Sequence, residues 1–162
     1  MVSFLREKGL KILFVELGGE IVAGYPKPDG THWRFGIDKP TDGNLQRELQ
    51  AVISLRNKGL ATSGNYRKFY QRDGVRYSHT IDPSTGYPVR HSLLSATVVS
   101  ETAGKADALA TAFMVMGADS TVRFLDDHSY LSSYVYLISD DKGGSYATFI
   151  SKQLIGLIEE ED

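Results

Sequence analysis

Short apolar runs punctuated by glycine- and proline-bearing turns recur along most of this chain, and they constrain its fold more than any bulk property. Ile12 to Leu17 is a nearly continuous apolar run with Glu16 near its end, the pattern of a strand covered on both faces. Gly18-Gly19 interrupts it, as a bend or as backbone brought close to a ligand, and Glu20 to Tyr25 resumes. Pro26-Lys27-Pro28-Asp29-Gly30 has hairpin composition and leads into a strand from His32 to Ile37. Asn57-Lys58-Gly59 predicts a hairpin between Ala51–Leu55 and Leu60–Ser63. Asp73-Gly74 predicts another between Tyr66–Gln71 and Val75–His79. A last hairpin is expected at Asp141-Lys142-Gly143-Gly144, between Tyr134–Ser139 and Tyr146–Ser151.

Helical signals come late. Leu94 to Ser100 reads as a strand, and Glu101 or Thr102 then opens the strongest helix, Ala103 to Met116, closed by Gly117. Ala118 to Asp127 follows as a shorter one. The expected fold class is therefore α+β, a mostly antiparallel sheet built from hairpins with a few packed helices. At the other end, Val2, Leu5 and Lys8-Gly9 read as the last turns of an amphipathic helix, so the chain is expected to be a fragment. The acidic tail Glu159 to Asp162 is expected to be disordered.

Bulk properties narrow the function classes. The chain has 162 residues, enough for one domain with a real core. A net charge of −2 gives no long-range attraction for nucleic acid or anionic lipid. No apolar run approaches the roughly 18 residues of a membrane helix. Without cysteine there are no disulfides and no cysteine–zinc sites. GxSxG, HExxH and GxGxxG are absent, and Gly104-Lys105 lacks the remainder of a P-loop.

Chemistry concentrates between Tyr77 and Met116. His79, Thr80, Asp82, Ser84 and Thr85 sit at a sharp Pro/Gly turn, and Asp107 and Thr111 share one face of the alanine-rich helix. Aligned hard oxygens suit Mg²⁺, which commonly arrives with a phosphate. Each residue also has a plainer reading, which spacing alone favours. Asp107 can be solvated, Thr111 can bond back to the carbonyl of residue 107, His79 can be structural, and Asp82 can form its own turn.

Four blocks in order, Val15-Glu16-Leu17-Gly18-Gly19-Glu20-Ile21, Ala61-Thr62-Ser63-Gly64-Asn65-Tyr66, His79 through Pro88, and Ala106-Asp107-Ala108-Leu109-Ala110-Thr111-Ala112, resemble the ApbE family of FAD:protein FMN transferases. The resemblance implies Mg²⁺-dependent transfer of the FMN moiety of FAD to a threonine or serine hydroxyl of a target protein, with release of AMP. It further implies that Asp107 and Thr111 ligate Mg²⁺, that His79 lies beside the flavin nucleotide as a candidate base, and that Ile81 touches FAD. Residues 1–158 would then form the C-terminal part of a flavin transferase domain, since family members are longer. Target subunits of membrane redox complexes, a lipid anchor outside this chain, and a periplasmic or cell-envelope location follow from the family alone. Two alternatives are a non-catalytic flavin-nucleotide-binding module and a FAD pyrophosphatase yielding FMN and AMP.

Overall fold

The computed structural model describes every residue except 42–47, 66–68, 73–74, 129–130, 132, 142–144 and 161–162, with backbone alone at 69–72 and 75–78. In chain order the elements are α1 (Val2–Glu7), β1 (Phe14–Leu17), β2 (Glu20–Ala23), β3 (Trp33–Asp38), β4 (Leu49–Leu55), β5 (Lys58–Gly64), β6 (Phe69–Arg72), β7 (Val75–Ser78) and β8 (Leu93–Ser100). Then come α2 (Ala103–Met116), α3 (Ala118–Asp127), β9 (Tyr134–Asp140), β10 (Tyr146–Ile150) and β11 (Ile158–Glu160). Strands order β1-β2-β5-β8-β9-β10 in a six-stranded sheet, β11-β4-β3 in a three-stranded one, and β6-β7 as a separate ribbon. Each of these ladders is antiparallel, and the α+β expectation holds.

The large sheet is the middle layer, and its strands alternate with period two between two cores. Ala61 of β5, Ala96 and Val98 of β8, and Val135 and Leu137 of β9 meet Ala106, Ala110 and Phe113 of α2. Leu60, Val99, Tyr136 and Ile138 point the other way, onto Ile37, Ile53 and Leu55 of the small sheet. Both faces of β8 and β9 are therefore buried, which explains their unbroken apolar character.

α2 begins and ends where the sequence predicts. Thr102 caps it, its hydroxyl accepting from the Lys105 amide at 3.2 Å, and the Gly117 amide closes on the Phe113 carbonyl. Gly9 likewise follows α1, with the Leu10 amide bonded to the Leu5 carbonyl and the Gly9 amide to that of Arg6, a Schellman closure.

Several expectations need correction. Residues 12–17 do not form a strand covered on both faces: β1 lies at a sheet edge, and Phe14 and Leu17 are 48% and 69% exposed. The Pro26–Gly30 segment and Asn57 do not close hairpins. Each carries the chain from one sheet to the other, because β2 and β5 pair together while β3 pairs with β4. Lys58 and Gly59 belong to β5 itself. Of the tail expected to be disordered, residues 161–162 lie outside the described residues, and Glu159 and Glu160 are in a strand. They extend β11 along β4, Glu159 pairs with Arg34 at 2.8 Å, and the buried Tyr136 hydroxyl donates to Glu160 at 2.8 Å. Burial, reinforced by that carboxylate, pushes the Tyr136 phenol pKa up. β6 and β7 pair as expected, but their Asp73-Gly74 turn and residues 142–144 of the last hairpin lie outside the described residues.

Candidate active site

Gly18 and Gly19 make the two-residue turn between β1 and β2. Leu17 pairs with Glu20, and both glycines have positive φ, 71° and 108°, the conformation of a tight hairpin loop that side chains resist. The turn forms one lip of a cleft of about 530 Å³; the glycine pair is a bend, and Gly19 lines that cleft.

The other walls come from separate elements. The end of β3 contributes Gly36, Ile37 and Asp38, and β5 contributes Leu60, Thr62, Ser63 and Gly64. His79 and Thr80 follow β7, and α2 contributes Asp107, Thr111 and Met114. The α2 residues form a stripe at i, i+4 and i+7, beside the Ala106-Ala110-Phe113 stripe that packs on the sheet. One helix thus divides its surface between core and cleft.

Gly59 fixes how closely that helix sits. A Cβ at Gly59 would fall 2.2 Å from the Ala103 nitrogen and 2.4 Å from the Thr102 carbonyl carbon, so only glycine admits the start of α2 there. At the far end of the contact the Ser63 and Thr111 hydroxyl oxygens are 3.3 Å apart. Behind them, Thr62 and Thr97 hydroxyls pair at 2.8 Å across β5 and β8.

The turn after His79 is rigidly built. Asp82 Oδ1 accepts from the Ser84 amide at 2.8 Å and the Ser84 hydroxyl at 2.7 Å, while the Asp82 amide donates to the Tyr87 carbonyl. The Ser84 hydroxyl and then its amide hold the Asp82 carboxyl below its ordinary pKa. Asp82 is thus a turn former. Ile81 bridges Pro88, is 48% exposed, and is not among the cleft residues, although the adjacent Thr80 is.

The structure therefore brings His79, Asp107 and Thr111 to one cleft and leaves Ile81 outside its lining. Sequence reasoning did not single out Ser63, Asp38, Glu16 or Glu20. For Ser63 and the two glutamates the signal was present, since all three stand in the quoted blocks. Asp38 was detectable only as a carboxylate ending an apolar strand.

The described lining holds four carboxylates, Glu16, Glu20, Asp38 and Asp107, and no lysine or arginine. A phosphate entering such a cleft needs a cation to offset the repulsion. No group of three or more His, Cys, Asp or Glu converges among the described residues. One carboxylate with a hydroxyl one turn later still suits Mg²⁺, which fills its remaining positions with water and phosphate oxygens. The donor set fits that ion. In class, this is an antiparallel α+β scaffold with a cleft of hard oxygens and an imidazole.

Comparison with known proteins agrees. The ApbE family model matches residues 1–135, and the chain belongs to the ApbE family. It is similar to the FAD:protein FMN transferase of Escherichia coli (strain K12), 35% identical over 161 residues, 99% of this chain and 44% of that protein. Among solved structures it resembles flavin transferase ApbE from Vibrio cholerae, with TM-score 0.78, 34% identity, and coverage of 96% of this chain and 47% of that one. It also resembles the apo form of Pseudomonas stutzeri flavinyl transferase ApbE, with TM-score 0.79, 32% identity, and coverage of 96% and 46%. The chain therefore spans less than half the length of these relatives.

Proposed function

We propose that this chain carries the metal- and phosphate-handling part of a FAD:protein FMN transferase. In the proposed reaction a threonine or serine hydroxyl of a target protein attacks the phosphorus on the FMN side of FAD. The new O–P bond forms as the pyrophosphate P–O bond breaks, and AMP departs with its own phosphate. His79 accepts the hydroxyl proton, a role an imidazole fills near neutral pH. Asp107 and Thr111 would hold Mg²⁺, and the ion when bound would supply charge neutralisation at the pyrophosphate and its leaving group.

The observation that carries this reading is the convergence of His79, Asp107 and Thr111 on one cleft whose described lining holds no lysine or arginine. The targets proposed are subunits of membrane redox complexes on the envelope side of the membrane. That placement rests on the family likeness alone, and among the described residues no helix is long and apolar enough to cross a membrane.

The test incubates the protein with FAD, Mg²⁺ and a target domain bearing the acceptor hydroxyl. Flavin fluorescence that stays on the target after acid denaturation, with stoichiometric AMP, supports transfer. FMN and AMP released without labelling would instead make the protein a pyrophosphatase. FAD bound and left intact would make it a binding module.

A further inference from the structure

Thr111 departs from the usual behaviour of a helical threonine. A threonine inside a helix commonly returns its hydroxyl to the carbonyl one turn back. Thr121 in α3 does so, bonding the Gly117 carbonyl at 2.7 Å. Among the described residues Thr111 makes no such bond, and its Oγ1 instead faces Ser63 Oγ at 3.3 Å. Two hydroxyls can satisfy each other in either sense, and the sense decides whether Thr111 Oγ1 offers the cleft one lone pair or two. With the Thr111 proton directed at Ser63, both lone pairs of Thr111 Oγ1 are available to a cation.

We infer that Ser63 is a positioning residue, its Oγ accepting the Thr111 hydroxyl proton and so presenting the Thr111 oxygen to a hard divalent cation. The inference rests on the reading of Asp107 and Thr111 as ligands. At 3.3 Å the pair is longer than a full-strength O–H···O bond. A cation drawing electron density from the Thr111 oxygen makes its proton a stronger donor, so the pair shortens on loading.

The fold gives Ser63 this place through two periodicities. Along β5, Gly59, Ala61 and Ser63 share the face toward α2, as shown by the Gly59 approach to Ala103 and the Ala61 contact with the α2 core. From Gly59 to Ser63 the strand advances about 13 Å. From Ala103 to Thr111 the helix advances about 12 Å. The close contact at Gly59 thus sets the register that puts Ser63 opposite Thr111.

Mn²⁺ binding to the chain, followed through the electron paramagnetic signal of the free ion, provides the test without requiring catalysis. Ser63→Ala is expected to weaken Mn²⁺ binding by about tenfold, the range for a residue that orients a ligand. Metal-free Tm should fall by a few degrees at most, about the loss of one exposed hydrogen bond. Ser63→Thr should hold affinity within about threefold of the parent, since orientation effects of this kind follow the hydroxyl. The inference fails if Ser63→Ala binds Mn²⁺ as tightly as the parent while Asp107→Ala does not bind. It also fails if Ser63→Thr keeps its Tm and still loses affinity. Retention of Mn²⁺ affinity by Asp107→Ala would overturn the ligand reading beneath it, and a parent chain that binds no Mn²⁺ would overturn both.

Discussion

Replacing Gly59 with alanine, a change of one methyl group remote from the cleft, should damage both the fold and the site. The added carbon would stand 2.2 Å from the Ala103 nitrogen, 2.4 Å from the Thr102 carbonyl carbon and 2.7 Å from the Ala103 Cα. All three are backbone atoms at the start of a helix, so no side chain can swing aside. Ordinary contact begins near 3.4 Å, and relief of the shortest approach requires the first turn of α2 to move by about 1.2 Å. Overpacking of this kind costs about 1–3 kcal/mol, and rigid backbone on the receiving side puts Gly59→Ala near the upper figure. For a domain of this size about 3 kcal/mol lowers Tm by roughly 6–12 °C. Asp107 lies one turn beyond the displaced residues, so Mn²⁺ affinity should fall along with Tm. Scanning calorimetry with a parallel Mn²⁺ titration measures both. A Gly59→Ala protein melting within about 1 °C of the parent would refute the claim that this contact sets the helix register, because 1 °C is well under 1 kcal/mol here.

Asp107→Ala should abolish Mg²⁺-dependent flavin transfer, a loss of more than about 10²-fold, since metal stabilisation of charge is worth several kcal/mol. Full activity without added Mg²⁺ would count against the site. His79→Ala should slow transfer by about 10²–10⁴-fold, as loss of a general base does, measured as the rate of flavin labelling of the target. The Asp82 carboxyl titrates lower folded than unfolded, so the turn's contribution is complete above the unfolded carboxylate value and fades as pH falls through the folded one. Protection of the Ser84 amide from hydrogen exchange should hold from pH 7 down to about pH 4 and decline below it, whereas Asp82→Asn should remove the decline.

Local signals were legible wherever their physics is local. The bounds of α2 could be read because the Thr102 cap and the Gly117 terminus are each made by residues within one turn. The Asp107–Thr111 stripe followed from helical periodicity alone. Turn residues showed that the chain bends, but not whether the strands on either side pair. Asn57, at φ 47°, makes a sharp bend whose amide goes to the Gly24 carbonyl, and sheet membership there is decided by packing between layers. The strand placement of Glu159 and Glu160 was illegible for the same reason. Arg34 and Tyr136, which engage Glu159 and Glu160, are distant in sequence. Apolarity misled once, at β1, where an exposed edge strand reads like a buried one.

The distribution of site residues over these elements has a functional consequence. Asp107 and Thr111 are held by a helix whose adjacent stripe is fully buried, so their spacing to β5 is as rigid as the core. His79 follows a two-stranded ribbon outside both larger sheets, and its turn is held by contacts among Asp82, Ser84 and Tyr87 rather than by the main cores. A metal-and-phosphate site demands fixed oxygens, because Mg²⁺ tolerates little departure from octahedral geometry. A turn bonded within itself, on an element separate from α2, can be altered without disturbing the α2 oxygens. Substitutions in the 82–87 turn should therefore alter acceptor use while leaving metal affinity unchanged, and substitutions along the Gly59–Ser63 face should do the reverse.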